Sequence, residues 1–200
     1  MWIIFLERAR HWSRPFSLVD FYFLGNFTFM NQDSINQFAQ LFTLTDAAAT
    51  ERIAERLALV LRDPAAYQTQ FADELAERGM DGTLPAQELC DVALIDALLS
   101  EDLLWESDYR EKADEIAEGL NEVLERQKQP QRLRPTTLLS RREPGPEQLD
   151  AMQDALEVLG LALALFTLDS DSYPLSVVAD ARAEDARRWA KELGFGIVVY

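Results

Sequence analysis

The residues most able to do chemistry lie together in "TLDSDSYPLSVV", Thr167 to Val178. Asp169 and Asp171 supply carboxylates, Ser170 and Ser172 hydroxyls, and Tyr173 a phenol beside Pro174. As a calcium loop the stretch fails. The two Asp have the spacing of the first two ligands of an EF-hand, but Tyr173 stands at the third ligand position and Pro174 replaces the glycine of the sharp turn. As a hairpin it needs little, because Asp and Ser side chains bond their own backbone nearby and hold tight turns. The first role expected of "DSDSYP" is therefore structural. A polar recognition surface at the hairpin tip is the second.

A second group is "WESDY", where Trp105, Glu106 and Asp108 mix an indole with two acids. It can line a groove, or it can be a strand edge followed by a helix cap. Asp169, Asp171, Tyr173, Trp105, Glu106 and Asp108 are the binding candidates. Asp169, Asp171, Glu106 and Asp108 are the first suspects for carboxylate chemistry, which needs a pair of acids with separated tasks. Acids are so abundant that no pair can be chosen, and no catalytic residue is assigned.

Other chemistries lack their groups. The single histidine, His11, is the only base available to a Ser-His-Asp or Cys-His site. Zinc ligation needs several Cys or His at short spacing, and the chain has one Cys, Cys90. No glycine-rich phosphate loop occurs, since "EPGPEQ" reads as a helix entry. No metal and no cofactor is expected. A lone cysteine cannot form an internal disulfide and fits a reducing, cytoplasmic setting.

These groups must be held by a chain of 200 residues, enough for one domain with a sizeable core. Its formal net charge is -16. From Phe71 to Glu125 there are seventeen acidic and three basic residues, and from Arg126 to Arg142 six basic and none acidic. Such a chain repels nucleic acid and anionic lipid unless its basic groups are gathered together, as they partly are in 126–142; neither nucleic acid nor membrane is the expected partner. The middle reads as a solvated helical face, or as a surface that attracts a basic protein partner.

Residues 1–29 differ from the rest. They hold nine of the twenty aromatics and a charge of +1. "MWIIFL" precedes the basic "ERARHWSR", the reverse of a secretory signal. Asp20 interrupts the second apolar run, which is shorter than a bilayer span. The segment reads as an extension outside the domain, with the natural start at Met30, or as a strand pair packed on it. A peripheral membrane anchor is a secondary reading.

The domain, 30–200, is expected to be α+β. Asp33 or Ser34 caps a first short helix. Thr45 caps "DAAATERIAERLALVLR", where Ile53, Leu57, Val60 and Leu61 recur at helical spacing. Asp63-Pro64 restarts the chain as a helix through Tyr67, Phe71 and Leu75, ending at Gly79. Pro85 opens another, with Leu89, Val92, Ile95 and Leu99 inward and Cys90 as a small core residue. Leu103–Trp105 is a short strand. Asp108 and Glu111 have capping-box spacing before a helix carrying Tyr109, Ala113, Ile116, Leu120, Val123 and Leu124 inward. Its other face is a row of carboxylates, Glu115, Glu118 and Glu122 among them.

A proline-rich linker follows, with "TTLLS" as a candidate strand. Then come a helix from Pro146 to Leu159, strands "LALALFTL" and "LSVVA", a helix capped by Asp180 and ended by Gly194, and a last strand in "GIVVY". The whole reads as N-terminal helices packed with a small mixed sheet and a C-terminal helix-strand-strand-helix-strand unit. The last two strands are expected parallel, with a right-handed crossover.

"LFTLDSDSYPLSVV" followed by "ARRWAKELGFGI" resembles the C-terminal block of an uncharacterised bacterial domain-of-unknown-function family with an LDSDSYPL-type hairpin. "LLWESDYREKADEIAEGLNEVL" is similar to that family's tryptophan-and-acid segment. The resemblance covers Pro85 to Val199, most strongly Leu165 to Ile197, and implies no catalytic residue. The expected function is a non-catalytic cytoplasmic interaction module with an acidic face, like immunity or adaptor proteins. A small carboxylate enzyme with a site near the Asp169/Asp171 hairpin is the alternative. The oligomeric state is open.

Overall fold

The computed structural model describes residues 32–80, 82–134, 146–168 and 170–200. The 1–29 extension, the "TTLLS" strand and Asp169 lie outside the described residues.

A first helix, α1 (32–43), is followed by α2 (Ala47–Arg62), α3 (Pro64–Gln70), α4 (Ala72–Glu77), α5 (Ala86–Leu99), β1 (Trp105–Asp108), α6 (Ala113–Arg126), α7 (Pro146–Glu157), β2 (Leu161–Phe166), β3 (Ser172–Ala179), α8 (Ala183–Leu193) and β4 (Ile197–Val199). The helix boundaries follow local chemistry. Asp63 Oδ1 accepts the Ala66 N–H at 3.0 Å, with Pro64 in the first turn. Asp46, not Thr45, caps α2, accepting the Ala49 N–H at 3.0 Å. Asp33 and Ser34 lie inside α1 rather than ahead of it. The Phe71 stripe is broken, since α3 ends and α4 begins at that residue. Ahead of α6, Glu115 rather than Glu111 reaches back, accepting the Lys112 N–H at 2.8 Å. Asp180 opens a short 3-10 turn, Asp180–Arg182, and makes no side-chain cap to α8. Gly194 closes α8 in the left-handed region, φ 81°, where glycine bears no steric penalty.

The sheet has the order β1-β3-β2-β4, and every pair is antiparallel. The α+β class is as expected, but the mixed sheet is not. β3 and β4 do run in the same direction, as a helical crossover requires, yet β2 lies between them. Both edges of β3 are already filled, one by its hairpin partner and one by β1, so β4 cannot pair with β3 and joins the free edge of β2. β1 itself begins at Trp105, where the expected strand ended.

Alternation along β2 sends Ala162, Ala164 and Phe166 to one face and Leu161 and Leu163 to the other. The first face packs on α1, α2, α5 and α8, the second on α6 and α7. Phe38 and Phe42 of α1 meet Phe195 and Phe166 with ring centroids 5.5 and 5.7 Å apart. All four rings are buried, and burying each side chain is worth about 2–3 kcal/mol. α3 and α4 lie outside this core, with Tyr67 and Leu75 against Val60, Leu89 and Val92.

Candidate functional site

The β1–β3 ladder brings the two sequence candidates together. Trp105 faces Leu175, Glu106 faces Pro174, Ser107 faces Tyr173 and Asp108 faces Ser172. The Tyr109 N–H continues the pairing by donating to the Asp171 carbonyl at 3.2 Å. "WESD" and the end of "DSDSYP" are thus neighbours in space, and the pleat divides them between the two faces of the sheet.

On the α6 side lie Trp105 and Tyr173, both half-buried. The Trp105 indole lies over Gly119 of α6, filling the space a Cβ there would need. Its Nε1–H donates to Glu111 Oε2 at 3.3 Å. On the other side, Glu106 accepts two bonds from the Arg78 guanidinium, at 2.9 and 3.2 Å. Asp108 and Asp171 are exposed. Asp108 Oδ1 accepts the Arg110 N–H at 2.8 Å, a local turn bond. Ser170 and Ser172 share a hydroxyl–hydroxyl bond of 2.9 Å, and the Ser172 N–H donates to Ser170 Oγ at 3.3 Å. β3 starts at Ser172, ahead of the expected "LSVVA", so Pro174 is its third residue. It falls beyond Leu165↔Leu175, the last pair with β2, so on that side no ladder N–H is needed.

The strongest electrostatics lie where no motif pointed. Arg78 also donates from Nε to Asp96 Oδ1 at 2.5 Å, joining α5 to β1. Arg56 lies 3.5 Å from Asp96 Oδ2, pairs with Glu74 at 2.8 Å, donates to the Tyr67 hydroxyl at 3.0 Å and stacks 4.1 Å over the Phe71 ring. Asp96 is only 7% exposed. Burial pushes its carboxyl above the ordinary value, against the pull of Arg78 and Arg56. Burial also pushes the Tyr67 phenol up to about 12. The half-buried Cys90 thiol is raised in the same way.

A second network joins Arg52 to Glu101 by bonds of 2.5 and 2.7 Å, and Arg126 to the Glu101 carbonyl and to Asp46 at 2.8 and 3.0 Å. Hydrogen bonding from Arg52 holds the Glu101 carboxyl below its usual range. Buried Asp91 accepts the Gly196 N–H at 2.7 Å and the Gln87 amide at 2.9 Å, fixing the entry to β4. The signal for Asp91 and Asp96 was present in the sequence as two acids inside the apolar run "LCDVALIDALL". A groove of about 500 Å³ opens beside Arg56 and Phe71, with Arg52, Glu55 and Glu101 in its walls. Its charges are balanced, so it selects neither an anion nor a cation.

The acidic layer has a definite place. On α6, Glu115, Glu118, Glu122 and Glu125 are exposed, and on α7 so are Asp150, Asp154 and Glu157. The two helices pack side by side on one face of the sheet. Glu125 pairs loosely with Arg132 at 3.7 Å, and Glu115 is held by the Lys112 N–H. Among the described residues, Glu118, Glu122, Asp150, Asp154 and Glu157 have no cation partner. Tyr109, expected on the inner face of α6, instead lies in the preceding turn and is exposed. Also among the described residues, no three His, Cys, Asp or Glu side chains gather as a metal site requires, and no helix is long and apolar enough to cross a membrane.

A family model described as a domain of unknown function (DUF6630) matches residues 34–200, a longer span than the Pro85–Val199 resemblance. No curated protein and no solved structure matches the chain.

Proposed function

The chain belongs to the DUF6630 family, and from that premise we propose that it is a non-catalytic cytoplasmic interaction module that offers an acidic face to a basic protein. The observation that carries this reading is the outer layer of α6 and α7, where Glu118, Glu122, Asp150, Asp154 and Glu157 point to water without described counter-charges. Charges of one sign on adjacent helices add their fields, speed encounter with an opposite charge and repel the wrong partners. Internal charge pairing is found elsewhere, in the Arg78 and Arg126 networks.

The test replaces Glu118, Glu122 and Asp154 together by amides. Glu115 is left alone because it closes the first turn of α6. With polylysine and a lysine-rich protein as probes, association with the wild type is expected to slow steeply as salt rises. The triple variant should associate several-fold more slowly at low salt and melt within a few degrees of the wild type. Association that ignores both salt and substitution would reject the reading.

A carboxylate enzyme is the second reading, favoured by the register that places Glu106, Asp108 and Asp171 at one end of the β1–β3 ladder. Arg78 occupies Glu106, and Asp108 and Asp171 stand in open solvent. Such groups lack the desolvation by which paired acids are given separate tasks.

A further inference from the structure

α6 and α7 do not cover the whole of their sheet face. The registers set Leu175, Leu165 and Val198 side by side across β3, β2 and β4. Tyr173 follows two residues before Leu175 on β3, and Tyr200 two residues beyond Val198, both on this same face. α6 packs over β3 and β1, and α7 over β2. At β4 the cover ends. Val198 is 51% exposed, and Leu165, Tyr173 and Tyr200 are half-buried. Neighbouring Ile197 and Val199 turn to the opposite face and pack there, so the exposure of Val198 follows from the pleat and not from a frayed end.

Among the described residues, two acids stand beside this strip, and the one cation at its β4 edge, Arg187, is paired with Glu184. Asp150 and Tyr173 both lie near enough to the Tyr200 phenol to oppose its ionisation, adding to the effect of burial. Asp171 stands exposed at the hairpin end.

Resting on the interaction reading above, we propose that this strip of Val198, Leu165, Tyr173 and Tyr200 is the docking surface for an arginine- or lysine-rich segment of a partner protein that also carries apolar side chains. Basic side chains have apolar stems that lie on aliphatic surface while their charged heads reach outward, here to Asp150 and Asp171. Tyrosine faces attract cations and are frequent anchors of interfaces. A second copy of the chain would bring the same two acids and a net charge of -16, so the charges favour a basic partner over self-association.

Part of the outer edge of β4 is already occupied. The Tyr200 N–H bonds the Leu163 carbonyl, which turns the Val199 carbonyl away from β2. Arg187 takes that carbonyl with bonds of 2.9 and 2.7 Å and the Tyr200 carbonyl with one of 3.0 Å. The proposed partner lies on the face, where Val198 is exposed, rather than along an edge whose Val199 carbonyl is already taken.

The experiment uses the full chain with two probes of equal charge, a peptide alternating arginine and leucine and a lysine-only peptide. Amide chemical shifts locate each on the protein. The arginine–leucine peptide is expected to shift Leu165, Tyr173, Val198 and Tyr200. Val198→Asp, a surface change, should weaken it at least about tenfold, and Val198→Ser should weaken it less. The lysine peptide should bind Val198→Asp at least as well as wild type. Shifts confined to the outer faces of α6 and α7, with affinity unchanged in Val198→Asp, overturn the docking strip and leave the acidic-face reading standing. No shift with either probe rejects both.

Discussion

Asp96 sets burial against charge within one side chain. Its Oδ1 accepts from Arg78 at 2.5 Å, while its buried Oδ2 has only Arg56 at 3.5 Å and no hydrogen bond. Burial outweighs the two guanidinium groups, and the folded-state carboxyl titrates above 3.8, its ordinary value. The native state therefore holds this proton to a higher pH than the unfolded chain does. The stability it contributes is fully present below the unfolded value and is lost as pH rises through the folded one. Asp96→Asn keeps the size and removes that titration. Melting temperatures of the variant and wild type should thus diverge in the variant's favour as pH rises above 3.8, the ordinary value. A gap that stays constant, or moves the other way, would mean that the Arg78 pair dominates. Glu101 has the opposite sign. Its carboxyl is held below 4.5 by Arg52, so its contribution is present above that value and lost on acidification. The sequence shows Asp96 as an anomaly in an apolar helix. It does not show Arg78, which lies eighteen residues earlier and reaches Asp96 only after the chain turns at Gly79.

At the level of elements, β1 is locked to α6 by a fit between large and small. A glycine inside a helix is ordinarily about 1 kcal/mol worse than alanine, so Gly119→Ala would stabilise an open helix. Here the Trp105 ring occupies the site of the new methyl. Gly119→Ala is expected to destabilise by about 1–3 kcal/mol through overpacking. Trp105→Ala should destabilise by about 3 kcal/mol by removing the ring. Once the ring is gone, Gly119→Ala should become neutral or favourable, so the two changes should be strongly non-additive in denaturant unfolding. Additive losses would disprove the lock. The helices were largely legible because Ile53, Leu57 and Val60, or Ile116, Leu120 and Val123, repeat at helical spacing and are buried. β1 was only half legible. "WESD" alternates Trp105 and Ser107 on one face with Glu106 and Asp108 on the other, and Ser107 is buried although its type gives no hint of it. The strand order was not legible, because the edge that β4 joins depends on β1 having filled β3.

For the whole molecule, composition alone located the acidic middle, and the fold decided which acids share a surface. α7 begins at Pro146, outside that acidic stretch, yet its Asp150, Asp154 and Glu157 join the layer of α6. The strip around Val198 was hidden, since "GIVVY" reads only as a strand and it is the limited reach of α6 and α7 that exposes one of its residues. A net charge of -16 also acts on the fold itself, because self-repulsion opposes the compact state. Added salt screens exposed carboxylates, because the Debye length falls from about 30 Å at about 0.01 M to about 10 Å at about 0.1 M and shorter above it. It reaches the Arg78–Asp96 and Arg52–Glu101 pairs less, because Asp96 and Glu101 are buried. The melting temperature should therefore rise by several degrees as sodium chloride increases from about 0.01 M to about 0.5 M. The Glu118, Glu122 and Asp154 amide variant should start higher at low salt and gain less, because part of the repulsion is already gone. A melting temperature that falls with salt in both proteins would show that screened attraction between the arginines and their acids, rather than repulsion across the outer faces of α6 and α7, governs the charge balance of the fold.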